Sequence, residues 1–264
     1  MIALPPSVRI DPPAAAPAVV RKLPVEARRF WLGRAELSSV FAEPLAPESE
    51  SLRSALVRDP VDAVLVDMAF TGVLPVLLGG APRPPVVVCS LGPLTISSVD
   101  TPPFGMAWKP EVGIDYSLMT SVVHRVIMRS SQRRFNRALR QAKCSPSPVF
   151  ISDWPRLADG LLQLSVAGFE YPRSDLPDTV EFVGPVLPDP ERDFEPPDWW
   201  ADLQKAGTVV HVTQGTFDNT DLDQLIGPTL TALGDRDDLL VIATTGGQPG
   251  QQLVQLGLFV GGIS

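Results

Sequence analysis

Two stretches of this chain follow one pattern, and that pattern limits the folds open to it. VDAVLVD (61–67) is a short run of β-branched and aliphatic residues, followed by AFTGVLPVLLGG (69–80) and then by a second apolar run, PPVVVCS (84–90). Far downstream the order returns as TVVHVTQG (208–215), DLDQLIGPTLTALG (221–234) and DLLVIATTGG (238–247). An apolar run of this length, bounded by Gly, Pro and Asp, reads as a buried strand. A strand, a helical stretch closed by glycine and another strand make a parallel crossover. Two such crossovers predict an α/β chain with two Rossmann-like units.

The segment between them fixes the boundary. LPDPERDFEPPDWW (187–200) is rich in proline and acid, which suits a linker. The organisation expected is a first domain over 1–186, a linker over 187–203 and a second domain over 204–264. Within the first domain, residues 25–58 carry apolar residues at helical spacing, with Phe30, Trp31, Leu37 and Leu52 available to a core. Residues 115–143 form the clearest helix. SPVFISD (147–153), LLQLSVAGFE (161–170) and VEFVGPV (180–186) read as strands, and 94–110 reads as a long polar-aromatic loop of the kind that carries function.

Composition closes off several function classes. A net charge of −8 argues against nucleic acid as a partner. Cys89 and Cys144 have neither metal nor redox spacing, no Asp-x-Asp has a convincing site context, and a reducing cytoplasm is the simplest compartment. The N-terminus, MIALPPSVRIDPPAAAPAVV, lacks the layout of a signal peptide, and no window offers about 18 uninterrupted apolar residues, so no membrane span is expected. There is no G-x-S-x-G nucleophile turn, no G-x-G-x-x-G fingerprint and no Walker loop.

The chemistry concentrates at strand ends. In VVHVTQGTFDNTD (209–221), Gly215 lets a ligand approach the backbone and Thr216 adds a hydroxyl beside exposed N–H groups. Asn219 and Thr220 are suitable N-caps for the following helix, which Pro228 should bend. The same residues also suit a ligand-free strand-to-helix turn. Asp67 ends its strand, where it serves either as the cap of the next helix or as a functional carboxylate. His211 lies within a strand, as a sheet-face histidine would, and His124 lies on the 115–143 helix with a surface position expected. HRVIMRSSQRRFNRALRQAK (124–143) carries seven cations and no acid. It reads as a solvated amphipathic face, or as a contact with anionic lipid.

VVHVTQGT with its helix and VIATTGG, FVGPVLPDP before DWWADL, and SSVDTPPFG in the long loop together resemble the UDP-glycosyltransferase family. These are nucleotide-sugar-dependent enzymes of GT-B fold, and the likeness is strongest to bacterial members acting on natural products; it runs from about residue 55 to 247. The resemblance implies a partial Rossmann-like acceptor domain followed by the first strand–helix–strand of a donor domain. It implies that Gly215 and Thr216 contact a nucleotide diphosphate and that Thr245, Gly246 and Gly247 lie near the nucleotide. It further implies that Asp67 orients a catalytic histidine, so that a neutral imidazole takes the acceptor proton while the carboxylate steadies the imidazolium. The acceptor would lie against Pro102, Pro103, Phe104 and Trp108 of the long loop, residues that suit equally a loop packed on its own core.

The reaction implied is transfer of a hexose from a UDP- or dTDP-sugar to a hydroxyl of a hydrophobic natural product or lipid. No metal and no cofactor beyond that co-substrate are expected. The family's histidine loop, near a Gly-His pair, has no counterpart in MIALPPSVRI, and its Gly-Gly donor motif has none in QPGQQLVQLGLFVGGIS. The chain thus resembles an internal slice of such an enzyme and is expected to be nearly inactive alone. The alternative from another class is a non-catalytic remnant or binding module that keeps an acceptor-type pocket. The location expected is cytoplasmic, with peripheral contact at the inner membrane face through the Arg125–Lys143 helix as the lipid reading requires.

Overall fold

The fold was obtained as a computed structural model, which describes residues 20, 22, 24–106, 108–187, 189, 195, 196, 199–215 and 221–246. Thr216, Asn219, Thr220 and Gly247 lie outside the described residues, as does the side chain of Phe30. Two compact units divide the chain at Leu187 and Pro188.

The first unit opens with helix α1 (Val25–Glu36), a wide π-type turn (Leu37–Ala42) and helix α2 (Leu45–Arg58). Strand β1 (Val64–Asp67) follows, then a 3-10 turn (Thr71–Val73), helix α3 (Leu74–Leu78) and strand β2 (Val86–Ser90). Helix α4 (Ser117–Val122), a second π-type turn (Val123–Ile127) and helix α5 (Arg129–Gln141) lead through a 3-10 segment (Ile151–Leu157) to strand β3 (Gly160–Gln163). A 3-10 turn (Ala167–Phe169) and strand β4 (Val180–Phe182) complete it.

All four strands are parallel and lie in the order β1-β2-β3-β4, with Val64 opposite Val86, Val88 opposite Leu161 and Leu161 opposite Val180. Burial follows position in the sheet. Interior β2 buries Val86, Val88 and Ser90 and half-covers the residues between, whereas edge strand β1 buries Val64 and Val66 and leaves Leu65 64 % exposed. The core gathers around Leu45, Phe135, Leu139, Ile151 and Trp154, all fully buried. Leu37 and Leu52 pack against it, as their spacing predicts.

Helix α5 buries Ser131, Phe135, Ala138 and Leu139 and turns Arg129, Arg133, Arg137 and Arg140 to solvent, the 3.6-residue alternation of an amphipathic helix. It stops in a left-handed cap. Lys143 has φ of 59°, its N–H donates to the Arg140 carbonyl, and the Cys144 N–H reaches back to the Leu139 carbonyl. Close approach of α2 to the 3-10 turn requires Gly72. A Cβ there would stand 2.2 Å from the Glu48 Cβ and 2.7 Å from the Glu48 carbonyl carbon.

Three expectations need correction. SPVFISD is not a strand. Residues 151–157 wind as a 3-10 segment, because that spacing puts Ile151 and Trp154 in the core together and Pro155 has no N–H for a sheet ladder. The strand expected over 161–170 ends at Gln163, and the one over 180–186 ends at Phe182, two residues before Gly184 with φ of 81°.

The second unit contains helix α6 (Trp200–Lys205), strand β5 (Val209–Thr213), a 3-10 turn (Leu222–Gln224), helix α7 (Ile226–Leu233) and strand β6 (Leu240–Thr244). The strands pair in parallel from Val209 opposite Leu240 to Thr213 opposite Thr244. Its described core is Val212, Leu222, Ile226 and Leu230, with Val241 and Ala243 against them. Pro228 is a fourth correction, since α7 begins only at Ile226. It lies in the first turn, where its missing N–H would have had no helical partner.

Candidate functional site

The first unit contains a cavity of about 390 Å³ whose walls are largely apolar, among them Leu37, Phe41, Met68, Met106, Met128 and Phe150. Its polar groups are few and come from separate elements. His124 arrives on the π-type turn between α4 and α5, Ser152 on the 3-10 segment, and Thr95 on the loop after β2. A mostly apolar hollow with a few convergent polar groups is the usual form of a small-molecule site.

His124 is held on two sides, contrary to the surface position expected for it. Its ring stacks on Phe150 with centroids 3.7 Å apart and planes 12° from parallel. Its Nδ1 stands 4.0 Å from Asp153 Oδ2, and its side chain is 14 % exposed. Burial lowers its pKa, and the charge of Asp153 works against that. Asp153 in turn accepts from the Ser97 N–H and hydroxyl at 2.6 and 3.0 Å. The Ser152 hydroxyl is buried with no hydrogen-bond partner, while Thr95 donates to the Ser152 carbonyl at 2.7 Å. A buried hydroxyl without a partner is costly unless a ligand or water completes it. The sequence offered one signal for this site, the Asp at the end of SPVFISD, and the strand assignment there hid it.

The long loop is pinned by carboxylates. Ser98 donates to Asp175 at 2.6 Å, the Val99 N–H to the same group at 3.1 Å, and the Ser174 hydroxyl to Asp100 at 2.7 Å. Arg173 and Glu170 form a buried ion pair at 3.2 Å, and Glu170 also accepts from the Leu94 N–H. Phe104 and Trp108 remain 43 % and 42 % exposed. With Pro102 and Pro103 they line a shallower hollow of about 310 Å³, and Phe104 lines the larger cavity as well.

Asp67 does not cap the next helix, whose N-cap is Phe70. The Asp67 Oδ1 accepts from the Ala69 N–H at 2.7 Å, fixing the turn after β1. It lines a groove along β1 rather than the His124 cavity, although Met68 and Ala69, its next two residues, line that cavity. Within the first unit, Asp67 is thus not among the residues that line the His124 cavity.

In the second unit Gly215, after β5, has φ of 73°, and among the described residues a Cβ there would meet nothing within 4 Å. Its N–H donates to the Thr213 hydroxyl at 3.2 Å. Gln214, which the sequence reading passed over, organises the following helix. Its Oε1 accepts from the Leu225 and Ile226 N–H groups at 3.3 and 3.1 Å, and its Nε2 donates to the Asp221 carbonyl at 2.9 Å. Asp221 caps the 3-10 turn through the Asp223 N–H. Thr245 is half-buried, Gly246 has φ of 58°, and both follow β6. His211 lies on the sheet face, 3.1 Å from the Thr244 hydroxyl. Among the described residues no group of His, Cys, Asp and Glu could hold a metal, and no helix is long and apolar enough to cross a membrane.

No family model matches the chain. It is 33 % identical over 213 residues to 4'-demethylrebeccamycin synthase of Lentzea aerocolonigenes, covering 78 % of this chain and 49 % of that protein. It is 31 % identical over 229 residues to UDP-glycosyltransferase 2 of Phaeomoniella chlamydospora, covering 82 % and 50 % respectively. The chain thus spans about half the length of these relatives. Among solved structures, the glycotransferase of kitacinnamycin superposes with a TM-score of 0.56 at 17 % identity, over 83 % of this chain and 51 % of that one.

Proposed function

This chain belongs to a glycosyltransferase family and has part of a GT-B fold, and from that premise we propose that its first unit holds the acceptor for hexose transfer from a UDP- or dTDP-sugar. The acceptor is a hydrophobic, hydroxylated natural product or lipid, lying in the His124 cavity and meeting the Phe104 side of the long loop. One observation carries this reading: a mostly apolar hollow whose few polar groups are Thr95, the His124 ring and an unpartnered Ser152 hydroxyl. An acceptor hydroxyl would complete the hydrogen bonding of His124 and Ser152. The turn at Gly215, with Thr216 beyond it, would take the diphosphate, and the segment from Thr245 to Gly247 would lie by the nucleotide.

In this reading His124 positions the acceptor oxygen. Asp153 holds the imidazole from behind, as a carboxylate does when it fixes a tautomer. No residue of the 264 is assigned as the base that the family places in its Gly-His loop, so turnover by this chain alone is expected at background with UDP- and dTDP-glucose. Binding is the test. A flat apolar alcohol should quench tryptophan fluorescence on titration. Its methyl ether should bind at least about tenfold more weakly, because the buried polar groups lose their partner. His124→Leu should remove that discrimination while keeping apolar binding. Equal affinity for alcohol and ether in the parent chain would refute the proposal.

A cytoplasmic location with peripheral membrane contact through the Arg125–Lys143 helix is a second proposal. It is favoured by the exposure of Arg125, Arg129, Arg133, Arg137 and Arg140, none with a carboxylate partner among the described residues. Arg133→Glu with Arg134→Glu should abolish pelleting with anionic liposomes, and unchanged pelleting would end it.

A further inference from the structure

A second hollow shares His124 and Phe150 with the first and is opposite to it in chemistry. It is an open groove of about 650 Å³ between the α4–α5 face and residues 147–156. Three arginines border it from one side, Arg125 on the π-type turn and Arg129 and Arg133 one turn apart on α5, and Arg156 borders it from the facing 3-10 segment. Among the described residues lining it, the single carboxylate is Asp153, already held by Ser97 and facing His124. Like charges spaced four apart on a helix repel, and here Arg129 and Arg133 form such a pair, with Arg125 just before them in sequence and no acid between residues 116 and 143 to offset them. The chain as a whole is acidic, with a net charge of −8, so the concentration of cations is local.

A second observation is independent of charge. The Thr120 hydroxyl, also in the lining, is buried and has no hydrogen-bond partner. The amides nearby are occupied. Asn136 Oδ1 accepts from the Ser147 N–H at 3.1 Å, and Gln132 Oε1 accepts from the Ile151 N–H at 2.9 Å, so the groove wall is fixed. Arg156 spends one nitrogen on the Ser97 carbonyl at 2.6 Å, which anchors the guanidinium and leaves other N–H groups for a ligand.

We infer that this groove is an anion site that takes a phosphate group, with Arg125, Arg129, Arg133 and Arg156 as charged donors and Thr120 as a neutral one. Guanidinium forks match phosphate oxygens in pairs, which a single lysine cannot do. The volume exceeds that of a bare phosphate, and Pro148, Val149 and Phe150 supply an apolar border. The ligand is therefore a phosphate ester with a small organic part, either a soluble metabolite or a lipid headgroup. This assignment does not depend on the sugar-transfer reading.

The test uses the 264-residue chain with glycerol 3-phosphate, followed by calorimetry, and with phosphatidylglycerol and phosphatidylcholine vesicles, followed by co-sedimentation. Arg129→Glu with Arg133→Glu should weaken binding at least about tenfold. Arg53→Glu with Arg58→Glu, on α2, changes the net charge equally outside the groove and should shift binding by less than about twofold. Thr120→Val, which keeps shape, should weaken binding severalfold even if the charge reversals disturb folding. Binding of glycerol 3-phosphate with this pattern identifies a soluble ester. Pelleting with phosphatidylglycerol alone, with the same pattern, identifies a headgroup. Equal loss in both double variants, or no phosphate binding in either arm, overturns the inference.

Discussion

The first unit surrounds its chemistry with a core, whereas the described part of the second carries its turn on a smaller one. Around the His124 cavity, four parallel strands, α5 and the 151–157 segment interlock through fully buried Phe135, Ile151 and Trp154, and Trp154 Nε1 donates to the Met68 carbonyl at 3.0 Å. Among the described residues behind Gly215 there are two strands, one helix packed on them and a core of four buried residues. The consequence is a division of rigidity. Under the proposed function, a pocket that must discriminate by shape needs walls that do not yield, while a turn proposed to take phosphate needs only backbone amides and a helix start. Gln214 shows how the second unit economises, since one amide side chain fixes both the turn and the start of α7.

The comparison breaks first in the core. Phe135→Ala should cost the first unit about 3–5 kcal/mol and leave amide protection in β5 and β6 unchanged. Ile226→Ala should do the reverse, stripping protection from β5 and β6 alone. Hydrogen exchange followed residue by residue would show it, and simultaneous loss across both units in either variant would dissolve the distinction.

Next in size is Glu48. It is 2 % exposed, accepts from the Gly72 N–H at 2.9 Å, and burial pushes its pKa up to about 7. The Gly72 hydrogen bond opposes that shift, and the charge of Asp67 adds to it. Below the unfolded value of 4.5 the group is neutral in both states. Between there and about 7 the unfolded chain releases its proton first, so the contribution to stability falls as pH rises and is fully lost above 7. Glu48→Gln keeps an acceptor for Gly72 and removes this dependence. The gap between parent and variant should move by up to about 3 kcal/mol between pH 4 and pH 8, in favour of the variant at high pH. Urea midpoints measured for the first unit at several pH values would check it, and a constant gap would contradict it.

The smallest effect is at Lys143, which holds a left-handed conformation at the end of α5 that suits glycine better. Lys143→Gly should stabilise the first unit by roughly 0.5–1 kcal/mol. A loss of stability on thermal denaturation would mean that the lysine side chain contributes more than its backbone strain costs.

Much of this architecture was legible in the sequence, and the reasons are local. β1, β2, β5 and β6 are runs of Val, Ile and Leu cut off by turn residues, and burial in a parallel sheet demands that pattern. The resemblance in VVHVTQGT and FVGPVLPDP pointed to the family to which the relatives belong. What was not legible depended on partners distant in sequence. The 147–153 run is apolar enough for a strand, yet Trp154 and Asp153 are claimed by Met68 and Ser97, more than fifty residues away. His124 sits in a basic stretch that reads as solvated surface, and only Phe150 and Asp153, on a different segment, bring it inside. Gln214 is a common residue at a turn, and its three hydrogen bonds depend on where α7 begins.

The central claim is that the His124 cavity is built for a hydroxylated apolar molecule, and methionine methyl groups report on it directly. Met68, Met106 and Met128 line the cavity, whereas Met119 is 38 % exposed on α4 and does not. With methyl-labelled methionine, titration of a flat apolar alcohol should shift the Met68, Met106 and Met128 resonances along one saturation curve and leave Met119 in place. Shifts at Met119 alone, or none at the three cavity methyls at saturating alcohol, would contradict the account.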